Sequence, residues 1–268
     1  MSTRTGPLSD VRVLDLTQAL AGPYCTMLLA DLGADVVKVE PPAGDMSRSM
    51  GPLPADRSGC DYGGYFASVN RNKRSIVLDI KNHADRESFF RLVQTADAVV
   101  ENAKTGVMDR AGISYERLRE IKPALVYAAI RGFGDPRTGA SPYADWPAFD
   151  IVAQSMGGLV AVTGPEDGGG YKAGPAIGDI YPGTLAALGV VSAIHAARRT
   201  GKGQFLDVAM YDAILALCEM VVYTYSGAGL VREPGGNGTP VLCPFDIFPT
   251  RDGAVAIAAP GENHWKIL

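Results

Sequence analysis

Short apolar runs alternate with stretches of helical spacing from Val11 to Arg131, and that alternation restricts the fold more than any other feature. VRVLDL (Val11–Leu16) reads as a buried strand and TQALAGP as a glycine-containing turn. YCTMLLADLG follows, with Met27, Leu28 and Leu32 on one helical face and Gly33 where a C-cap glycine belongs. ADVVKVE then forms a second strand ending at Glu40. A strand, a crossover helix and a second strand make the unit that builds parallel sheets. The pattern recurs: SIVLDI, DAVVEN and ALVYAAI read as strands, HADRESFFRLVQTA and SYERLREI as helices. The expectation is an open, doubly wound α/β sheet, followed by the start of a second, smaller α+β domain. Ligands in such sheets sit beyond the C-terminal strand ends, here near Thr17–Pro23, Glu40, Lys81 and Asn102. The segment Pro41 to Asn72, rich in Gly, Pro, Ser and Asp, reads as a long surface excursion.

Further on, KAGPAIGDIYPGTLAALGVV (Lys172–Val191) places a single carboxylate, Asp179, between a glycine and an apolar helical stretch. Two readings stand. Asp179 could be the helix N-cap, accepting hydrogen bonds from free backbone N–H groups, or a nucleophile kept ionised by those groups and the helix dipole. The helix runs to about Arg199 and stops at RRTGKG. FLDVAMYDAILALCEMVVYTY reads as a short strand leading into one long apolar helix, interrupted by Asp207, Asp212 and Glu219. After a glycine-rich loop, FDIFPTRDGAVAIAAPGENHWKIL reads as a hairpin about RDG and the opening of a helix inside which the chain stops. The expected organisation is a large domain over 1–204, a linker helix over 205–230 and the beginning of a small, truncated domain over 231–268.

A net charge of −4 argues against a nucleic-acid surface spread over the whole protein, and leaves room for a local basic site for a small anion. The cysteines (Cys25, Cys60, Cys218, Cys243) are widely spaced, without a CxxC, and with three scattered histidines give neither a metal site nor a disulfide framework. A reducing cytoplasm follows as the expected compartment. The N-terminus has no long apolar run of a secretory signal, and no stretch is expected to reach the ~18 apolar residues of a membrane span.

The first strand-turn-helix lacks GxGxxG, which counts against Glu40 as a dinucleotide ribose ligand. No GxSxG is present for Ser-His-Asp chemistry, and His195 lies in an apolar helix. The basic turn with Arg71, Lys73 and Arg74, followed by Lys81, is either a solvated loop or a phosphate contact.

Six blocks occur in order: LDLTQALAGPYCTMLLADLGADVVKVEPPAGD, NRNKRSIVLDIK, ADAVVENAKTGVMDRAGISYERL, IRGFGDP, FDIVAQSMGGLVAVTG and AIGDIYPGTLAALGVVSAIHAARRTGKGQFLDVAMYDA. Together they resemble the class III CoA-transferase family, which includes formyl-CoA and carnitine CoA-transferases and α-methylacyl-CoA racemase. The resemblance implies a Rossmann-like large domain and an interlocked homodimer. The implied substrates are acyl-CoA and a carboxylic acid, a dicarboxylate being one candidate acceptor. No tightly bound cofactor, metal, nucleic acid or membrane is implied.

By this resemblance Asp179 is the catalytic nucleophile, forming first an acyl-aspartyl anhydride and then an aspartyl-CoA thioester. Lys81, Asn102 and Arg110 match positions that hold CoA in the family, and Ala19 and Leu20 occupy the first-strand turn that touches it. Leu20 stands where the formyl-CoA enzyme carries a polar residue, which counts against that enzyme's oxalyl chemistry here, and Pro41 stands where it has an arginine on the nucleotide, so one anchor is missing or moved. Racemases carry a histidine before the aspartate of the FDIVAQ block. Phe149 stands there and cannot take a proton, so transfer is favoured over racemisation or a non-catalytic CoA-binding fragment. The loop Pro234–Pro240 is a candidate lid over the acyl group, or a plain linker.

Overall fold

The computed structural model describes residues 5–52, 62–239 and 241–268. The first four residues, Cys60, part of the Pro41–Asn72 excursion, and Pro240 in the candidate lid lie outside the described residues.

The first compact unit comprises residues 1–153 and 176–214. In chain order it contains β1 (Arg12–Asp15), α1 (Ala21–Asp31), β2 (Asp35–Glu40), α2 (Gly64–Asn70), β3 (Arg74–Val77), α3 (His83–Val93), β4 (Ala98–Glu101), α4 (Val107–Arg110), α5 (Tyr115–Ile121) and β5 (Val126–Arg131). There follow the first turn of α6 (Asp150–Met156), α7 (Ile177–Thr200), β6 (Phe205–Ala209) and the first turn of α8 (Met210–Leu217), the last residues of α6 and α8 being counted in the second unit. The strands form a six-stranded sheet ordered β3-β2-β1-β4-β5-β6, every pair parallel, with Val13 opposite Val36 on one side and Ala98 on the other. The expected doubly wound α/β sheet is therefore present. Its order reverses between β1 and β4, so the crevice beyond their C-terminal ends is where such a fold leaves room for a ligand.

β2, β4 and β5 are buried at every position, as strands of a parallel sheet covered on both faces must be, the charged residues they bury lying mainly at their ends and at Lys38. One sheet face is closed by α3 and α5, whose Phe89, Val93 and Leu118 pack on Leu14, Val99 and Tyr127. Burying each such side chain contributes about 2–3 kcal/mol. α1 and α7 pack on each other, α1 lying against β1 and β2 and α7 against β5 and β6. A Cβ on Gly183 would lie 2.5 Å from the Ala21 carbonyl oxygen, so only glycine lets the two helix backbones come this close.

Four local expectations change. α7 begins two residues before Asp179, and Ala176 is its N-cap, because Asp150 rather than Asp179 satisfies the first-turn amide of Gly178. An 18-residue window of α7 reaches a mean hydropathy of 1.4, long and apolar enough by composition to cross a membrane, contrary to the expectation that none does. Part of that hydrophobicity is used against α1 and the sheet, where Ala186, Val190 and Ile194 are buried. The surface excursion contains α2, which buries Phe66 and Val69. The single long helix expected after β6 is two, α8 and α9 (Glu219–Ala228), parted at Cys218.

The second unit comprises residues 154–175 and 215–268. It holds α9, the antiparallel pair β7 (Phe245–Pro249) and β8 (Ala254–Ala258) joined about Arg251–Gly253, and α10 (Glu262–Trp265). In the candidate lid, the Gly236 N–H donates to the Gly164 carbonyl (2.8 Å).

Candidate active site

At the end of β1 the chain turns through Thr17–Leu20 into α1. Asp15 is fully buried beneath that turn; its carboxylate accepts from the Thr17 N–H (2.9 Å) and from the Thr17 and Thr26 hydroxyls (2.5 and 2.6 Å). Lys73 reaches under the turn to pair with Asp15 at 3.0 Å. Lys38, equally buried, donates to the Thr17 carbonyl (2.8 Å) and pairs with Asp45 (2.8 Å). Burial pushes the Asp15 carboxyl up, but the Lys38 and Lys73 ammonium groups and the two threonine hydroxyls outweigh it and hold it well below the usual carboxylate range.

Ala19 sits above this network with φ of 64°, a left-handed conformation that costs a non-glycine residue about 1 kcal/mol. Neighbouring hydrogen bonds pin it. The Gln18 N–H donates to Asn102 Oδ1 (2.9 Å), Asn102 Nδ2 donates to the Gln18 carbonyl (2.8 Å), and the Ala19 N–H donates to Asp45 Oδ1 (3.3 Å). Asn102 thus ties the loops after β1 and β4 together across the point where the strand order reverses. The β4 loop is fixed from below as well: Arg131, 6% exposed, donates to the Ala103 carbonyl and pairs with Glu101 and Asp135 at 2.7 and 2.8 Å.

These loops border a cavity of about 390 Å3. Leu16, Leu20, Val107, Met108, Ile130 and Met210 supply apolar wall, and the segment from Ala144 to Phe149 closes one side with Trp146 and Phe149. Asp179 lines the same space. It is the third residue of α7, half-buried, and among the described residues its carboxylate accepts no hydrogen bond. Gly178 before it must be glycine, since a Cβ would lie 2.6 Å from the Asp150 carbonyl oxygen. The Gly178 N–H in turn donates to Asp150 Oδ1 (2.8 Å). Burial, and then the nearby Asp150 charge, push the Asp179 carboxyl up to about 7. The head of α1 borders the cavity at Leu20 and Ala21, and first-turn N–H groups have no intrahelical acceptor there. Two helix N-termini therefore meet at one cavity, where each favours negative charge.

The structure brings Asp179, Ala19, Leu20 and Asn102 to this one space. Arg110 ends α4; its guanidinium folds back against Gly106, and it lines a separate cleft on the far side of that short helix. Lys81 is exposed in the turn before α3, its N–H bonded to Asp79 Oδ1 (3.0 Å), and lines neither space. The basic turn is exposed at Arg71 and Arg74, which pair with Asp31 and Asp35, while the Lys73 side chain is buried on Asp15. Glu40 is buried on Arg48, Ser75 and the Asp45 N–H, so no ribose could reach it.

Sequence reasoning missed Trp146 and Arg131 at the cavity. It also missed Tyr65 on α2, whose phenol is raised by burial and then by the charges of Asp179, Asp45 and Asp150. For Trp146 a signal existed, a tryptophan in the loose stretch before the FDIVAQ block. Tyr65 lay in a segment read as loop.

Residues 8–268 match CoA-transferase family III. The chain belongs to that family. A succinyl-CoA:mesaconate CoA-transferase of Haloarcula hispanica is 53% identical over 98% of this chain and 66% of its own length. An acetyl-CoA:oxalate CoA-transferase of Acetobacter aceti is 40% identical over the same shares. Among solved structures, a CAIB/BAIF family protein from Brucella suis superposes with a TM-score of 0.88 at 38% identity, over 96% of this chain and 67% of that one. The chain thus spans about two thirds of the length of these family III relatives.

Proposed function

We propose that the protein transfers CoA from an acyl-CoA donor to a carboxylic acid, with Asp179 as the nucleophile. The observation that carries this reading is a carboxylate at the head of a helix, lining a cavity large enough for a thioester arm and, among the described residues, paired with no cation and accepting no hydrogen bond.

The cycle balances without an external base. An Asp179 oxygen attacks the donor thioester carbonyl, and the C–S bond breaks to release CoA thiolate, leaving an acyl-aspartyl anhydride. The thiolate attacks the aspartyl carbonyl and expels the donor acid as its carboxylate, giving an aspartyl-CoA thioester. The acceptor carboxylate attacks that thioester, forming a second anhydride and freeing thiolate again. The thiolate then attacks the acceptor acyl carbon, and Asp179 leaves as the regenerated carboxylate. Each step passes through a tetrahedral oxyanion, which the convergent heads of α1 and α7 would stabilise. A carboxylate suits the task because its anhydride is as activated as the incoming thioester.

The two named relatives pair a CoA thioester with mesaconate and with oxalate, which supports a small dicarboxylic acid as acceptor. The same reading has the protein act as a cytoplasmic homodimer on exchangeable acyl-CoA. Racemisation is disfavoured because Phe149, on the cavity wall, offers no proton acceptor.

The test is trapping. Incubation with succinyl-CoA followed by borohydride or hydroxylamine should place a modification on the peptide carrying Asp179, read by mass spectrometry. A modification on any other residue would overturn the assignment, as would deuterium wash-in at the α-carbon of the acyl group without acceptor acid.

A further inference from the structure

Among the described residues that line the Asp179 cavity, Asp179 is the one acid, and Lys104 and Arg131 are the two bases. The bases differ in what they have left to give. Arg131 is buried and spends its guanidinium on Glu101 (2.7 Å), Asp135 (2.8 Å) and the Ala103 carbonyl. Lys104 is exposed, and among the described residues its ammonium forms neither an ion pair nor a hydrogen bond. The carboxylates nearest to it in the chain are already taken, Glu101 by Arg131 and Asp109 by Arg137.

The backbone that carries Lys104 is held on both sides. The Ala103 N–H donates to Glu101 Oε2 (2.7 Å), and the Ala103 carbonyl accepts from Arg131. The Thr105 hydroxyl donates to the Ala144 carbonyl (3.0 Å), which ties this loop to the segment carrying Trp146. The Lys104 carbonyl accepts from the Val107 N–H (3.1 Å) at the start of α4. A pinned main chain under an unspent side chain is the arrangement that suits a binding group. The remaining wall offers a second anion little. Asn102 spends its side-chain amide on Gln18, Thr105 its hydroxyl on Ala144, and much of the lining is apolar. A carboxylate placed there without a counter-charge loses its water and gains nothing in exchange.

We propose that Lys104 binds the far carboxylate of a dicarboxylic acid whose other carboxylate reacts at Asp179, so that this lysine selects diacids over monoacids. The reacting end rests on the reading of the preceding subsection; the ion pair at Lys104 needs no turnover. An ammonium on a flexible alkyl stem, with three donors, suits a carboxylate whose distance from the reacting end varies with the acid. The far carboxylate takes no part in bond making or breaking and keeps its charge throughout. Lys104 therefore holds ground state and transition state alike, which sets KM and leaves kcat unchanged.

The experiment compares succinate with butyrate, the same carbon chain with and without a second carboxylate, in the wild type and in Lys104→Met and Lys104→Arg. Lys202→Met, an exposed lysine off the cavity lining, is the control, and circular dichroism checks folding of each variant. Transfer from acetyl-CoA gives KM and kcat for each acid, and calorimetry at saturating CoA gives their affinities without turnover. The wild type should favour succinate over butyrate by about tenfold. Lys104→Met should raise the succinate KM by that factor and leave kcat, the butyrate KM and CoA affinity unchanged, while Lys104→Arg keeps the preference. If succinate binds preferentially and Lys104→Met removes that preference, but no acid receives CoA, the inference stands and the transferase reading fails. If transfer proceeds and folded Lys104→Met still favours succinate, the inference falls and the transferase reading is untouched. A wild type that takes or binds butyrate as readily as succinate overturns the proposal. So does a Lys104→Met variant that loses CoA affinity as much as succinate affinity, since the lysine would then hold the thioester rather than the acid.

Discussion

Asp15 and Asp179 are both aspartates of the same unit, both shielded from water, and their environments drive them in opposite directions. Around Asp15, burial is outweighed by Lys38, Lys73 and two threonine hydroxyls, so the carboxylate is ionised at any ordinary pH and fully engaged. Around Asp179, burial is reinforced by Asp150, and the carboxyl rises to about 7. Tyr65 is another titratable group close enough to feel its charge, and brings no positive charge. The partners, more than the burial, separate a carboxylate that holds a loop from the one proposed to attack.

The comparison breaks if the roles can be exchanged. Asp179→Asn should reduce CoA transfer by about 10^3-fold or more while leaving CoA binding measurable, because only the nucleophile is lost. Activity retained within a few fold would mean that Asp179 is no different in kind from Asp15. Asp15→Asn should instead destabilise the protein by about 3–5 kcal/mol in urea titration, because Lys38 and Lys73 would keep buried charges with too little to balance them.

The two carboxylates should also give stability slopes of opposite sign. Asp15 has a depressed folded-state pKa, so its contribution is present above the unfolded value near 3.8 and disappears as the pH falls below it. Asp179 has a raised one, so the folded state binds its proton more tightly and stability drops as the pH climbs from about 4 through 7. Thermal melts should therefore show Asp179→Asn more stable than wild type at pH 8 and indistinguishable from it below pH 4. If Asp179 is the proposed nucleophile, kcat/KM should rise with pH to a plateau, with a midpoint near 7. The smallest effect sharpens the cause. Asp150→Asn, which keeps an oxygen for the Gly178 N–H, should move that midpoint down by about one unit. An unmoved midpoint would leave burial as the whole cause.

Much of this was legible in the chain. Strand and helix alternation made the sheet legible because parallel strands buried on both faces are mostly apolar runs, as in β4 and β5; β2 departs from this with buried Asp35, Lys38 and Glu40. That Asp179, Ala19, Leu20 and Asn102 share one cavity was foreshadowed by the family resemblance and by their places at strand ends or a helix start, where local pattern and spatial position coincide. What escaped was pairing across long separations. Nothing near Lys73 in sequence says that its ammonium reaches Asp15, so a basic turn looked like solvent or phosphate. Nothing near Glu40 announces Arg48 and Ser75 as its partners. The break at Cys218 hid in an apolar run whose composition suits one helix as well as two, and the cap of α7 came from Asp150, remote in the chain.

The contact between Gly183 and the Ala21 carbonyl has a mechanical corollary. Because main chain meets main chain there, no rotamer change can widen or narrow the spacing between the two helix heads. On the proposed reading, variants that accept longer or bulkier acyl chains would gain their room on the Trp146–Phe149 side, where side chains rather than two packed helix backbones form the wall.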